Sequence, residues 1–194
     1  MYIAANIDDC AIIINDFLSP DLFKKISNYN YNYKNSFSNS HSEWQEELYS
    51  DNNKNETMKN IKYIRGLATI EKEQITFQDL IFKEFLESII NCSFIPYKKN
   101  SNIEVSYYEY QKHSGINWHD DGDYTLNYSF YIHDEWNNNW GGETLIDTKR
   151  GLPLVTLPIP NSLLVIKNGI KHKVCLVGGP KKRKVLQIRG IFYK

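Results

Sequence analysis

Three side chains in this sequence could bind one metal ion together. His119 and Asp121 are two positions apart, and His172 lies far downstream. Two histidines and one carboxylate are the facial ligand set of mononuclear non-haem iron(II) oxygenases, which leaves other coordination positions open for substrate and oxygen. Because residues two apart on a β-strand point the same way, we expect His119 and Asp121 to act together, with Asp120 pointing elsewhere and His172 at the start of a second strand.

A second His-x-acid pair, His133 and Glu135, competes with this assignment. His133 follows the apolar end of a predicted strand and precedes Trp136, which indicates a turn. His119 instead precedes a loop rich in Gly and Asp and then a strand. The context therefore favours His119 over His133 as a metal ligand.

The elements that must position these residues follow a simple order, with helices first and strands later. Ser19 caps a predicted helix that starts at Pro20, and Thr76 caps a second one that ends at Ile90. Strands are predicted at residues 10–14, 103–110, 124–132, 143–146, 163–167, 173–177 and 184–192. This order predicts an α+β, mainly β protein: a double-stranded β-helix (jelly-roll, cupin-like) core with N-terminal supporting helices.

We expect a single domain over residues 1–194, with a polar segment at 28–62 that is either a functional loop or poorly ordered. The formal net charge of zero gives no overall field that would attract nucleic acid or a membrane. No segment approaches the ~20 apolar residues that span a bilayer. Three widely spaced cysteines and the lack of a signal-peptide pattern predict free thiols and a cytoplasmic location.

Five blocks, in order, resemble those of the 2-oxoglutarate and iron(II)-dependent dioxygenases, most closely the prolyl 4-hydroxylase-like branch. They cover an opening strand and helix cap, a Tyr…Gly…His-x-Asp block, a strand followed by Gly-Gly-Glu-Thr, a distal histidine block and a basic block, at residues 13–19, 110–121, 129–144, 160–174 and 183–186. The order and spacing of these blocks carry the resemblance, since each is short. It spans most of residues 10–192 apart from the polar segment.

The resemblance implies an enzyme that uses Fe(II), 2-oxoglutarate and O2, with ascorbate as an accompanying reductant. Such an enzyme hydroxylates an aliphatic C–H and releases succinate and CO2. The expected substrate is a prolyl residue of a peptide or protein, with a small molecule as the alternative. His119, Asp121 and His172 would be both the metal ligands and the catalytic residues.

A dicarboxylate cosubstrate needs a cation in its pocket, and the chain has four adjoining candidates at residues 181–184. Arginine pairs with a carboxylate through two parallel hydrogen bonds. The resemblance favours Arg183 as this cation, with Lys182 as the second choice. Strand alternation predicts that two of the four side chains face inward and two outward.

The resemblance also implies further contacts. Tyr131, Tyr110 and Arg189 are predicted to help bind the cosubstrate, the last because it lies six residues after Arg183 on the same strand face. Trp140, in a polar loop, and Tyr108 are predicted substrate contacts.

Two alternative functions stay open. The arginine spacing also resembles that of AlkB-like oxidative demethylases of nucleic acid, although this chain has Val185 and Gln187 where those enzymes have Asn and Thr. The zero net charge disfavours a nucleic-acid partner. A non-catalytic, cupin-like metal-binding module is the third hypothesis.

Overall fold

The computed structural model describes residues 1–7, 10–31, 61–71, 74–94, 101–122, 126–148 and 151–192. Most of the predicted polar segment at 28–62 lies outside these ranges. The described helices are α1 (Pro20–Ser27) and α2 (Leu80–Ile90), with a 3-10 turn at Asn138–Trp140. The strands are β1 (Tyr2–Ile7), β2 (Ala11–Asn15), β3 (Ile61–Glu71), β4 (Gln74–Phe77), β5 (Ser101–Tyr110), β6 (Ile116–His119), β7 (Leu126–Tyr131), β8 (Thr144–Ile146), β9 (Leu154–Thr156), β10 (Leu163–Lys167), β11 (His172–Val174) and β12 (Arg183–Phe192).

The strands form two antiparallel sheets. The larger has the order β1-β2-β10-β7-β12-β5-β3-β4, and the smaller has the order β6-β11-β8-β9. Strands distant in sequence are therefore neighbours in both sheets, as in a jelly roll, where long connections cross between two packed sheets. The predicted jelly-roll fold with supporting N-terminal helices is confirmed.

The larger sheet is covered on both faces, so its central strands alternate between two apolar layers. Leu186 and Ile188 of β12 join the layer beneath the helices, together with Phe82 and Phe85 of α2. Val185 joins the layer between the sheets. The polar side chains of the site lie on the same face as Val185, because residues two apart share a face.

The first helix follows the predicted cap, whereas the second starts later than predicted. The Oγ of Ser19 accepts a hydrogen bond from the Leu22 N–H at 3.4 Å. At α2 the cap is Asp79, and Thr76 lies on β4, where its hydroxyl meets that of Thr69 at 2.6 Å. The prediction of Thr76 as the cap is wrong because Ile75, Thr76 and Phe77 favour an extended chain that pairs with β3.

Five strands lie outside the predicted strand ranges. These are β1, β3, β4, β6 and β9. A bulge between Ile64 and Ala68, at Gly66 with φ of 63°, interrupts the pairing of β3 with β5 and with it the apolar alternation. β9 has only three residues, too few for a periodic signal.

The described cysteines are all free, with Cys10 and Cys92 buried. None of the helices in the described part of the chain is long and apolar enough to cross a bilayer.

Asn161 joins the turn before β10 to the start of the helical layer. It has a left-handed backbone, with φ of 57°. Its Oδ1 accepts from the Leu18 N–H and its Nδ2 donates to the Leu18 carbonyl, both at 2.9 Å. Its own carbonyl accepts from the Phe17 N–H at 2.9 Å. One side chain therefore connects two segments that are far apart in sequence.

We expect Asn161→Ala to lower the free energy of unfolding by about 2–3 kcal/mol, because it loses two hydrogen bonds and adopts a left-handed backbone less readily than Asn. Asn161→Gly should lose less, because glycine adopts this backbone without strain. Urea unfolding of the three proteins measures both values. Equal stability of Asn161→Ala and wild type would contradict this account of the turn.

Candidate metal centre

The two histidines are brought together by one strand pairing. His119 is the last residue of β6 and His172 is the first of β11, and the two are direct partners in the antiparallel register. Their ring centroids are 4.4 Å apart. Strand pairing thus joins two segments that are distant in sequence and leaves both imidazoles on the inner face of the smaller sheet.

Asp121 completes the cluster from just beyond the strand. Its Oδ2 lies 3.3 Å from His172 Nε2. One possible ligand atom from each of His119, Asp121 and His172 lies within 4.8 Å of the others. Among the described residues this is the one group of three or more His, Cys, Asp or Glu side chains that could hold a metal ion. Asp120 is exposed, and its Oδ1 accepts from the Gly122 N–H at 3.0 Å.

The location of Asp121 does not follow from strand alternation, contrary to the argument from its spacing. β6 ends at His119, so Asp121 lies in the loop that follows. Contacts from other strands hold its carboxylate instead. Asn127 Nδ2 of β7 donates to Oδ2, and Arg189 Nη2 of β12 lies 3.5 Å from Oδ1.

Both histidines are turned so that Nε2 is available. His119 Nδ1 lies 2.7 Å from the Asn117 carbonyl, and His172 Nδ1 lies 3.1 Å from the Ile170 carbonyl. A carbonyl can only accept, so Nδ1 carries the hydrogen and Nε2 keeps its lone pair, the arrangement typical of metal-bound histidine.

The charge state of His119 suits the same role. Burial, and then the neighbouring His172, lower the pKa of His119 to about 4, against the opposing effects of the Asn117 carbonyl and Asp121. The imidazole is therefore neutral at physiological pH, which is the form that binds a metal.

The cluster opens into a cavity between the two sheets. The cavity is lined by polar residues of several strands and a few aliphatic ones: Tyr108, Tyr110, Ile116, His119, Asp121, Ser129, Thr144, Ile166, His172, Val174, Arg183, Gln187 and Arg189. Its lining brings both histidines, Asp121 and two arginines into one space.

Arg183 is a buried cation in this cavity, with 2% of its surface exposed. Its Nη2 donates to the Tyr131 hydroxyl at 3.3 Å and to Thr144 Oγ1 at 3.2 Å. The guanidinium carbon lies 4.8 Å from the ring centre of Tyr110 and 5.0 Å from that of Tyr131. No carboxylate of the described residues pairs with it, and its Nε has no partner. A buried cation without a counter-ion is costly, which favours an anionic ligand at this position.

Gly142 makes room for this arginine. A Cβ at residue 142 would lie 3.2 Å from Arg183 Cδ and 3.1 Å from the Trp136 ring, and φ is 72°. The Gly-Gly-Glu-Thr block therefore has a steric role: its second glycine lets Arg183 and Trp136 approach the backbone, and its threonine is a partner of Arg183.

The neighbouring lysines point away from the cavity. Lys182 Nζ lies 2.8 Å from Glu109 Oε1, and Lys181 pairs with Glu135 at 3.4 Å. The prediction that two of residues 181–184 face inward is wrong, since Arg183 is the one of the four that lines the cavity. β12 begins at Arg183, so strand alternation does not apply to the two lysines before it.

Tyr110, Tyr131, Tyr108 and Arg189 all contribute to this region. Burial raises the pKa of Tyr110 to about 12, so its hydroxyl stays protonated. Arg189 Nη1 donates to the Tyr108 hydroxyl at 3.1 Å. Burial lowers the pKa of Arg189, but Tyr108 and Asp121 more than offset it and the net pKa is raised. Arg189 is therefore charged.

Trp140 does not line the cavity. Its ring packs edge-on to Trp136 at 5.6 Å, and its carbonyl accepts from the N–H groups of Gly178 and Gly179 at 2.7 and 3.1 Å. A Cβ at residue 179 would overlap the Trp140 side chain at 2.3 Å. Trp140 therefore packs against Trp136 and Gly179, and its contact with a substrate stays a prediction.

A family model matches the part of the chain that carries the site. Residues 104–188 match the 2OG-Fe(II) oxygenase superfamily, a range that includes every predicted site residue except Arg189. This part of the chain is therefore similar to the 2OG-Fe(II) oxygenase superfamily. No curated protein sequence matches the chain.

Several solved structures share the fold of this chain at low sequence identity. A prolyl-4-hydroxylase from Pseudomonas putida is 15% identical with a TM-score of 0.58, over 96% of this chain and 94% of that one. A prolyl hydroxylase from Trichoplax adhaerens, in complex with a hypoxia inducible factor peptide fragment, is 12% identical with a TM-score of 0.58, over 95% and 84%. The IDO protein from Bacillus thuringiensis is 15% identical with a TM-score of 0.57, over 95% and 93%.

Sequence reasoning missed the polar lining residues Ser129, Thr144 and Gln187, and also Asn127, which donates to Asp121. Asn127 and Ser129 share a face of β7 with Tyr131, so alternation from the predicted Tyr131 could have found them. Gln187 follows in the same way from Arg183, because the two are four residues apart on β12.

His133, the competing histidine, belongs to the protein interior. It is 4% exposed, its Nε2 lies 2.6 Å from the Pro158 carbonyl, and its ring lies 4.6 Å from that of Trp136. Burial lowers the pKa of His133 to about 4; the Pro158 carbonyl raises it and Arg183 lowers it further. His133 is therefore a neutral structural residue.

This pKa makes folding stability depend on pH. Below the unfolded pKa near 6.5 the unfolded state binds a proton that the folded state does not bind until about pH 4, so stability falls as pH decreases through this window. Between pH 7.5 and 4, we expect the free energy of unfolding of wild type to fall by roughly 3 kcal/mol more than that of His133→Gln, at about 1.4 kcal/mol per pKa unit. Urea unfolding at several pH values measures the difference, and parallel profiles would contradict it.

Proposed function

We propose that this protein is an iron(II)- and 2-oxoglutarate-dependent dioxygenase that hydroxylates a prolyl residue of a peptide or protein. One observation carries the proposal: His119, Asp121 and His172 line the same cavity as Arg183, a buried cation without an anionic partner among the described residues. A metal that leaves several positions open, beside a cation, suits a cosubstrate that chelates the metal through one end and has a carboxylate at the other.

In this proposal the three ligands hold Fe(II) through His119 Nε2, His172 Nε2 and the Asp121 carboxylate. Bound iron supplies the oxygen chemistry that couples decarboxylation of 2-oxoglutarate to succinate and CO2 with hydroxylation of a C–H bond. The chain itself orients the reactants and keeps the site away from bulk water. Ile116, Ile166 and Val174 contribute apolar walls to that end.

The distal carboxylate of 2-oxoglutarate would bind Arg183, with the hydroxyls of Tyr131 and Thr144 beside it. Both hydroxyls accept from the guanidinium and lie 3.3 Å from each other, so at least one of their hydrogens is available to donate to a carboxylate. One Fe(II), one carboxylate ligand, a dianionic cosubstrate and Arg183 sum to zero charge, and Arg189 adds one positive charge. This near-balance matters in a buried site, where an uncompensated charge is costly.

Arg189 is proposed as a second contact, on the metal side of the cavity. It lies 3.5 Å from Asp121 and remains charged. From there it can contact the end of the cosubstrate nearest the iron, or the substrate. Tyr108, its hydrogen-bond partner, lines the same cavity and is the proposed substrate contact.

Fold similarity supports the prolyl substrate, because two of the similar structures are prolyl hydroxylases and one holds a peptide. The spacing of Arg183 and Arg189 favours the AlkB-like alternative, oxidative demethylation of nucleic acid. The zero net charge disfavours that alternative.

Turnover tests the proposal directly. With Fe(II), wild type should convert 2-oxoglutarate to succinate in the presence of a proline-containing peptide, and the peptide should gain one oxygen atom by mass spectrometry. His119→Ala should lose about 100-fold or more of this activity, because one of three metal ligands is gone. His133→Gln is the matched control and should keep it at pH 7.5. Demethylation of a methylated oligonucleotide without peptide oxidation would favour the alternative, and no iron-dependent turnover would refute both.

Arg183→Gln tests the cosubstrate contact. We expect the KM for 2-oxoglutarate to rise about 10- to 100-fold, the equivalent of a lost hydrogen bond to a charged group. Lys182→Gln should leave the KM unchanged, since its ammonium contacts Glu109 outside the cavity. Steady-state kinetics measure both values. A larger effect from Lys182→Gln than from Arg183→Gln would reverse the assignment.

A further inference from the structure

Asp121 is the member of the metal cluster that strand pairing does not hold. His119 and His172 are held by the β6–β11 register, but Asp121 lies past the end of β6. A carboxylate in a loop can rotate about its side-chain bonds, so its orientation depends on the groups that donate to it. The donors nearest to it are the Asn127 amide and the Arg189 guanidinium.

Asn127 donates from a rigid part of the fold. It lies on β7, in the larger sheet, where it faces Ile166 of β10 on one side and Arg189 of β12 on the other. Its side chain is buried, and Nδ2 donates to Asp121 Oδ2, the oxygen that faces His172. The same Nδ2 lies 3.5 Å from His172 Nε2. The amide therefore contacts two of the three proposed ligands.

The orientation of this amide is fixed by a chain of hydrogen bonds that runs in one direction. Ser129 Oγ donates to Gln187 Oε1 at 2.9 Å, Gln187 Nε2 donates to Asn127 Oδ1, and Asn127 Nδ2 donates to Asp121. Rotating the Asn127 amide by half a turn would set its Oδ1 against the Asp121 carboxylate, acceptor against acceptor, and its Nδ2 against Gln187 Nε2, donor against donor. Each residue in this hydrogen-bond chain thus orients the next, so that the Asn127 amide donates to the Asp121 carboxylate.

We infer that Asn127 is the positioning residue of the metal centre: held by Gln187 and Ser129, it keeps the Asp121 carboxylate directed toward His119 and His172. The inference rests on the proposed function, because it assigns a role in binding the iron. It does not involve Asn127 in the reaction itself. Partners that hold metal ligands typically alter metal affinity 10- to 100-fold when they are removed.

Co(II) binding tests the inference without turnover, because Co(II) can be titrated by calorimetry and by its visible absorption. Asn127→Ala should weaken Co(II) binding about 10- to 100-fold and change the shape of the visible band, since the carboxylate is no longer held. Gln187→Leu and Ser129→Ala, one and two bonds further from Asp121, should weaken binding progressively less.

Ser106→Ala is the matched control. Ser106 faces Gln187 on the adjacent strand β5, but its hydroxyl donates to Glu104 at 2.7 Å and is outside the chain. The Ser106→Ala variant should bind Co(II) as tightly as wild type does, whereas Ser129→Ala should bind it more weakly. Thermal unfolding of the metal-free proteins distinguishes a general loss of stability from a specific effect on the metal site. A general loss would lower the melting temperature without altering the Co(II) spectrum.

The outcomes distinguish this inference from the proposed function. If wild type binds Co(II) and releases succinate but Asn127→Ala binds Co(II) within about twofold of wild type, this inference fails and the proposed function stands. If Asn127→Ala does not fold, the Co(II) affinities of Gln187→Leu and Ser129→Ala test the inference instead. Co(II) affinities of these two variants equal to that of Ser106→Ala would refute it. If wild type binds no Co(II), the proposed function itself fails.

Discussion

The antiparallel pairing of β6 with β11 is the constraint on which the site depends. Both strands are short and belong to the smaller sheet, and their register makes His119 and His172 direct partners. Strand partners in adjacent antiparallel strands lie about 5 Å apart, close enough for two imidazoles to bind one ion. The larger sheet then closes over this pair and adds the polar side chains that surround it.

A buried cluster of charges carries a cost for stability. Arg183 lies between two tyrosine rings without a counter-ion among the described residues, while Asp121 and Arg189 share one end of the same cavity. Apolar residues at these positions would satisfy the folding requirement more simply, because desolvation of ions is expensive. Their presence is therefore better explained by ligands of opposite charge than by folding. The same reasoning distinguishes His133, whose ring nitrogen has a backbone partner and which lies in the interior as a neutral group.

The hydrogen-bond chain from Ser129 to Asp121 shows that both sheets contribute to the proposed metal site. The smaller sheet supplies the histidines, and the larger sheet supplies the donors that orient the third proposed ligand. Neither set is sufficient alone, since the histidines need the carboxylate and the carboxylate, beyond the end of β6, needs an external donor. A jelly roll suits this division because side chains from both sheets meet in the space between them.

The sequence by itself determined the fold class, the superfamily resemblance and the residue types available for the site, because motif order and strand periodicity are local signals. It also favoured Arg183 over Lys182, on the resemblance. Only the tertiary structure decided which groups meet. The cap at Asp79 depends on the pairing of β3 with β4, and the orientation of Lys182 depends on where β12 begins. Gln187 gained its contact with Asn127 from the register of β12 with β7, which brings together residues whose separation along the chain gives no indication of contact.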